Sequence, residues 1–503
     1  MSRVPRFVTA DEAVAAIPDG GTVATDGFTL LGVAEEVFEA VERRFLATGT
    51  PRGLTVVAAS GQSGNELGFE HFAHEGLVGR VVGSHWGLQP RMSRFLRDNG
   101  AEAVCLPQGQ ISTLYRAIAA RRAGNLSRIG IDTFVDPERD AGRINEAAAA
   151  APPYVESVHI DGERHLLYRS FPVDVAIIRA TSVDPDGNCS IAEEAATLDQ
   201  LAIAQAAKAS GGIVIVQAKY AVDRGAIAPR EVMVPGQFVD LVVVTTDAQR
   251  YHRQSKGFPF DARLVSAGAV PADPAEFVLP EDRLAIGLRA VRDLSPGEII
   301  NIGTGIPGDV ISAALAEAGL AGQVTVTVEA GTHGGAPLGG TDFGATLHPT
   351  AIIPQSHQFD FYDGGGLDAT FMGVGEVDRF GNVNVSLLGE RVIGCGGFID
   401  ITQSTRRIYF CFVLGGRHSK FVRDVGHLTF NGTRAHREGQ EVWYVTERAV
   451  FRLTGSGIRL VELRSGYDLH DDVLALIPFD IEVDSDALAV AAAPPVTIPS
   501  TQR

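Results

Sequence analysis

Cysteine is scarce in this chain. Four occur among 503 residues, at Cys105, Cys189, Cys395 and Cys411, too scattered for any metal-ligand spacing. No metal site is expected, and so few thiols fit a reduced, intracellular compartment. Long apolar runs are missing as well. No uncharged stretch reaches about 18 apolar residues, the length at which a membrane span becomes a candidate, and the opening Met1-Ser-Arg-Val-Pro-Arg6 has no apolar signal core. The expectation is a cytoplasmic protein with no membrane partner. Basic charge is in deficit, with 43 Lys and Arg against 61 Asp and Glu and a net charge of −18. General nucleic-acid binders neutralise phosphates with basic surface, so that class is excluded. An anionic ligand here depends on local cations, backbone amides or helix N-termini.

Glycine, by contrast, is plentiful: 57 residues, about 11% against a usual value near 7%. The glycines cluster without a fixed period, which excludes collagen-like and linker readings and points to tight functional loops. A chain of this length needs more than one core. Strand-like runs at 54–58, 173–178, 213–216, 241–245 and 324–328 alternate with helical patterns at 34–45, 111–123 and 198–209, which predicts an α/β architecture. Thr197 and Asp199 stand where the last helix wants a cap.

An internal duplication organises the chain. Gly21, Gly27 and Gly32 pair with Gly297, Gly303 and Gly308, each separated by 276. A second match pairs Asp174, Asp184, Gly187 and Asn188 with Asp368, Asp378, Gly381 and Asn382 at a separation of 194. The predicted fold is two homologous open α/β domains, the first enlarged by about 80 residues between its markers. The expected division is 1–270, a linker at 271–285, 286–484, and a disordered tail at 485–503.

Gly303-Thr-Gly-Ile-Pro-Gly308 follows a strand-like run at 298–302 and opens a helix expected at 309–318. Its spacing matches the dinucleotide fingerprint, with Glu329 21 residues beyond Gly308, which keeps an NAD-binding enzyme as an alternative. Against that stand Pro307 inside the loop and the degenerate glycine pattern of the first copy. The glycine-rich run Ala330-Gly-Thr-His-Gly-Gly-Ala-Pro-Leu-Gly-Gly340 is also wrong for a ribose-binding turn. In either reading, amides at a helix N-terminus suit a phosphate or carboxylate. Glu329 ends the run Val324-Thr-Val-Thr-Val328, where open α/β sheets place ligands; the plainer reading is an exposed loop glutamate. Two further glycine clusters, in Phe359-Asp-Phe-Tyr-Asp-Gly-Gly-Gly-Leu-Asp368 and Gly394-Cys-Gly-Gly-Phe398, favour a site. His333 and His348 read as solvent-facing loop residues, and Cys395 as a space-filler.

These blocks, with Ala59-Ser-Gly-Gln62, His71-Phe-Ala-His-Glu-Gly-Leu-Val78, His85-Trp-Gly87, Leu106-Pro-Gln-Gly109, Asp132-Thr-Phe-Val-Asp-Pro137 and Gly381-Asn-Val-Asn-Val-Ser386, span nearly the whole chain. Together they resemble the family I CoA-transferases in their single-chain form, and are similar to the acetate, propionate and 3-oxoacid CoA-transferases. The resemblance implies an N-terminal and a C-terminal CoA-transferase domain and a homodimer or homotetramer. Coenzyme A would be a substrate and no cofactor would be needed. It maps the nucleophilic glutamate of a Glu-Ser-Gly or Glu-Asn-Gly motif onto Glu329, with Ala330 departing from the motif. Gln108 resembles a glutamine reaching across from the first domain. Gly303, Thr304, Gly305, Ile306, Pro307 and Gly331 fall on CoA- or substrate-binding stretches.

The chemistry agrees with the residues. A carboxylate, expected to be ionised near pH 7, attacks a thioester without the general base a serine needs. Backbone amides of Gly396 and Gly397, in the loop from Gly394 to Phe398, are candidate oxyanion donors. Phe398 is placed to wall out water. An acyl-CoA hydrolase on the same scaffold is the nearest alternative. The effector-sensing domains of some sugar-responsive regulators share the fold, but no helix-turn-helix module accompanies this chain.

Overall fold

The computed structural model describes residues 4–64, 66–268, 280–416 and 419–485. Most of the expected linker (271–279) and nearly all of the expected tail (486–503) therefore lie outside the described residues.

Two open sheets carry the chain. In the first half the order is Arg6–Phe7, Leu241–Val244, Ile213–Ala221, Val175–Val183, Thr22–Thr25, Leu54–Ala58, Val78–Gly83 and Glu102–Cys105, all parallel. Cys189–Ser190 adds one antiparallel pairing to Val175–Val183. In the second half the parallel centre is Thr325–Thr327, Ile299–Ile302, Ala369–Met372, Arg407–Cys411 and Glu441–Val445, with antiparallel strands flanking it. The central strands are apolar on both faces, as in Val175-Ala-Ile-Ile178, because helices cover both sides of a parallel sheet.

The duplication predicted from spacing is structural. Thr22–Thr25 sits between Leu54–Ala58 and Val175–Val183 just as Ile299–Ile302 sits between Thr325–Thr327 and Ala369–Met372. The marker residues make the same bonds in each copy. The Asp174 carboxylate accepts from the Thr22 amide and that of Asp368 from the Ile299 amide, both at 2.8 Å. Asp184 accepts from the backbone and side-chain amides of Asn188, and Asp378 does the same with Asn382. The Asn188 side-chain carbonyl then accepts from Gly236 N, and that of Asn382 from Gly432 N. The enlargement of the first half consists of Val78–Gly83, Glu102–Cys105 and a separate antiparallel sheet of Gly124–Ser127, Glu163–Arg169 and Val155–Ile160.

Element ends differ from expectation where side chains beyond the local pattern decide them. The helix expected from 111 begins at Gln108, directly after Pro107, and ends at Ala119. The helix expected from 309 is Ile306–Glu317, because Pro307 is tolerated in a first turn whose amides have no partners. Asp199 holds the cap position of Gln200–Ala209 but gives its carboxylate to Ser112 and Gln355 instead of the helix. Helix Glu281–Val291 begins inside the stretch read as linker. Among the described residues no helix is long and apolar enough to cross a membrane.

Candidate active site

Glu329 stands in a tight turn at the end of Thr325–Thr327. The Gly331 amide donates to the Val328 carbonyl (2.9 Å) and the Val328 amide to the Thr332 carbonyl (3.0 Å), which turns the chain back into Thr332–His333. Gly331 closes this turn with φ +98°, and any side chain there would run into the Ile353 carbonyl. It is not among the residues that line the cavity in front of Glu329, and its part in the described geometry is to form the turn that presents Glu329. Ala330 is fully buried among Phe28, Leu198 and Phe343. It takes the place of the motif's Ser or Asn within this apolar cluster.

The Glu329 side chain is only 9% exposed and has no hydrogen-bond or ion-pair partner among the described residues. Burial alone pushes its carboxyl up to about 7. The expectation of a fully ionised carboxylate therefore gives way to one that titrates in the neutral range. It faces a cavity of about 570 Å³ between the two halves, and the first half contributes Phe28, Thr29, Gly61, His85, Leu88 and Gln108 to the wall. The second half contributes Gly303, Thr304, Gly305 and Ile306, then Gly394 to Phe398, and the cations Arg283 and Lys420. Pro307 is buried inside the helix start, one residue behind the wall residue Ile306.

The glycine loop from Gly394 to Phe398 is held by the first half. Gly394 bridges to His85, the Gly396 amide donates to the Ser84 carbonyl (2.9 Å), and the Gly396 carbonyl accepts from the Gln108 amide (3.0 Å). The Gly396 N–H is therefore committed, which removes one of the two expected oxyanion donors. Gly397 presses directly on Glu329. A Cβ added there would lie 3.1 Å from the Glu329 carboxyl carbon and 3.0 Å from the Phe359 ring. Only glycine permits that approach. Phe398 begins helix Phe398–Ser404 and stacks on Phe410 at 5.9 Å. The Cys395 thiol lies 3.7 Å from that of Cys105 in the other half, and both are buried.

Behind the cavity the halves share buried polar groups that sequence reasoning missed. Gln355 begins helix Gln355–Asp363 after Pro354, as Gln108 begins its helix after Pro107. The Gln355 side-chain carbonyl accepts from Ser60 Oγ (3.0 Å) and Gln108 Nε2 (3.3 Å), and its amide donates to Asp199 (3.0 Å). Burial pushes Asp199 up to about 6 against the pull of Ser112 and Gln355. Asp400 accepts from Gln110 Nε2 (3.0 Å) and the Gly109 amide (3.3 Å), and burial pushes it up to about 7. The signal available in the sequence was the repeated Pro-Gln pair at 107–108 and 354–355. His333 also departs from its solvent-facing reading, being half-buried with Nε2 2.6 Å from Gln358 Oε1. His348 stays in a loop, with Nδ1 3.3 Å from the Ser266 carbonyl.

Comparison with known proteins gives a consistent answer. A family model described as Coenzyme A transferase matches residues 7–245. The caffeate CoA-transferase of Acetobacterium woodii is 37% identical over 504 residues, covering 96% of this chain and 95% of that protein. The acetate CoA-transferase YdiF of Escherichia coli K12 is 36% identical, covering 95% of this chain and 92% of its own length. The crystal structure of the acyl-CoA transferase YdiF from E. coli O157:H7, a thioester complex with CoA, superposes with a TM-score of 0.89 at 33% identity, covering 97% of this chain and 95% of that one.

Proposed function

The chain belongs to the coenzyme A transferase family, a single-chain enzyme moving CoA between an acyl-CoA and a carboxylate, and from that premise we propose that Glu329 carries the CoA covalently. The Glu329 carboxylate attacks the thioester carbonyl, giving a mixed glutamyl-acyl anhydride and CoA thiolate. The thiolate attacks the glutamyl carbonyl, which releases the first acid and leaves a glutamyl-CoA thioester. An acceptor carboxylate then attacks that thioester to form a new anhydride. The thiolate finally takes the new acyl group and frees the Glu329 carboxylate. Each step balances without an electron carrier, and coenzyme A enters as a substrate.

The observation that carries this reading is an unpaired, buried carboxyl with the Gly397 backbone against its carbon. With Gly396 committed to Ser84, the oxyanion donors in this reading are the Gly397 amide and the second N–H of the Gln108 side chain. The first N–H of that side chain goes to Gln355. Arg283 and Lys420 are the cations for the CoA phosphates. Burial lowers the Lys420 pKa against the pull of Glu376, and a phosphate in the cavity would add a direct ion pair. Phe398 closes the site against water, which would hydrolyse the anhydride. The relatives' names favour short-chain or aromatic acids, among which acetate, propionate and 3-oxoacids are the first acceptors to assay.

Incubation with acetyl-CoA alone tests the mechanism. A glutamyl thioester should accumulate, borohydride should reduce it to an alcohol, and peptide mapping should place the change at Glu329. Glu329→Gln should lower transfer by several orders of magnitude, and initial rates should give the parallel double-reciprocal lines of ping-pong kinetics. Modification at another residue, or a variant keeping more than a few per cent of wild-type transfer, sinks the proposal. Release of acid into water at the transfer rate would favour a hydrolase.

A further inference from the structure

The cavity in front of Glu329 has two unlike faces. Among the described residues, the two cations that line it, Arg283 and Lys420, come from the second half, and the first-half wall carries no group charged at neutral pH. A nucleotide with its phosphates belongs on the cationic face. The acyl group, joined to CoA through the carbon that Glu329 attacks, is then left to the uncharged face. That face is apolar at Phe28 and Leu88 and has one conspicuous polar side chain, His85.

His85 is held from both sides of its backbone. It bridges to Gly394, and the Trp86 amide after it donates to the Ile393 carbonyl at 2.6 Å. Its ring is seated between two glycines. A Cβ on Gly61 would fall 2.9 Å from Nδ1, and a Cβ on Gly87 would fall 2.9 Å from Nε2. Only glycine fits at 61 and 87 against this ring. Neither nitrogen has a hydrogen-bond partner among the described residues. Burial lowers the imidazole to about 4, so at neutral pH the ring is uncharged and offers one N–H donor and one acceptor nitrogen. The ring is half-buried on the cavity wall, so the cavity is the direction from which a partner can come.

Resting on the reading of Glu329 as nucleophile, we propose that His85 is the specificity residue of the acyl side, hydrogen-bonding an uncharged oxygen, hydroxyl or oxo, on the substrate acid. The acids this enzyme favours are then apolar-bodied monocarboxylic acids bearing such an oxygen. Dicarboxylic acids are disfavoured, because the first-half wall supplies no cation for a second carboxylate. Unsubstituted acids bind the same wall but leave the imidazole unpaired.

The test compares kcat/KM for transfer from acetyl-CoA to butanoate, 3-hydroxybutanoate and butanedioate by the full-length enzyme. The wild type should favour 3-hydroxybutanoate over butanoate by about tenfold, the worth of one well-made neutral hydrogen bond plus relief of an unpaired one, and butanedioate should be poorest. In His85→Phe the hydroxyl preference should collapse to within about twofold, whereas His85→Asn, which keeps a donor and an acceptor, should retain at least a threefold preference. A wild-type ratio near one, a ratio unmoved by His85→Phe, or butanedioate as the best acceptor overturns the proposal. Should His85→Phe fail to fold, the wild-type ratios and His85→Asn still decide. Borohydride trapping on the same preparations separates the two readings. A normal Glu329 thioester with an unmoved ratio defeats His85 alone, and no thioester in the wild type defeats the nucleophile.

Discussion

Glu329 is held in a form that suits chemistry better than stability. Its folded pKa, about 7, lies above the ordinary value of 4.5. A group shifted in that direction contributes stability that is fully present below pH 4.5 and is lost as pH rises through 7. Replacing it with the neutral isostere Glu329→Gln should therefore stabilise the fold at pH 8 by about 2 kcal/mol more than at pH 5, read from denaturant midpoints at the two pH values. Equal effects at both would mean that the carboxyl is ionised throughout. A similar tension between function and comfort marks Thr29. It occupies the position of the first copy that Gly305 occupies in the second, and both are left-handed, at φ +50° and +80°. A β-branched residue there is strained. Its hydroxyl, 3.0 Å from the Phe343 carbonyl, helps hold the loop beside the cavity.

At the scale of elements, the two helices that start with Pro-Gln bring the halves together. Gln355 serves Ser60, Gln108 and Asp199 at once. Gln355→Leu keeps much of the volume but strips a buried carboxylate and two buried donors of a partner. It should cost about 2 kcal/mol or more, measured as a lowered denaturant midpoint. A change within 0.5 kcal/mol would show that other groups satisfy the cluster. This pair also marks the limit of what could be read from sequence. The Asp-x-x-Gly-Asn turns were legible because each is a local unit whose acceptor and donors lie within four residues. The strands were legible from their apolar runs. Gln355 was invisible because its partners stand 156, 247 and 295 residues away. Pro307 and Gly331 were read together with their neighbours because a motif marks a loop without saying which of its residues turn the chain and which line the cavity. Glycine clustering likewise identified the loop from Gly394 to Phe398, but not that Ser84 already holds the Gly396 amide.

Across the whole molecule, the halves are bound by more than their covalent connection. The Phe134 amide donates to the Leu428 carbonyl (2.8 Å), Arg434 Nη1 to the Ile131 carbonyl (2.6 Å), and Ser255 Oγ to Asp342 (2.7 Å). Glu329 belongs to one half, and Gln108 and His85 to the other. A chain divided between residues 268 and 280 and coexpressed as two pieces should therefore copurify and transfer CoA, while either piece alone should not. Halves that separate on a sizing column, or a stable pair without activity, would show that chain continuity itself shapes the cavity.

The depth at which Glu329 sits has one more consequence, and it concerns the solvent. With burial raising this carboxyl to about 7, part of the unacylated enzyme carries a proton on it at neutral pH. A glutamyl-CoA thioester has nowhere to keep it, so the first half-reaction discharges a fraction of a proton per site into the buffer near neutral pH and almost none at well above that range. The apparent heat of loading the enzyme should accordingly follow the ionisation heat of whatever buffer surrounds it. The position of equilibrium between free and CoA-bearing enzyme should drift toward the loaded form as the medium becomes more alkaline.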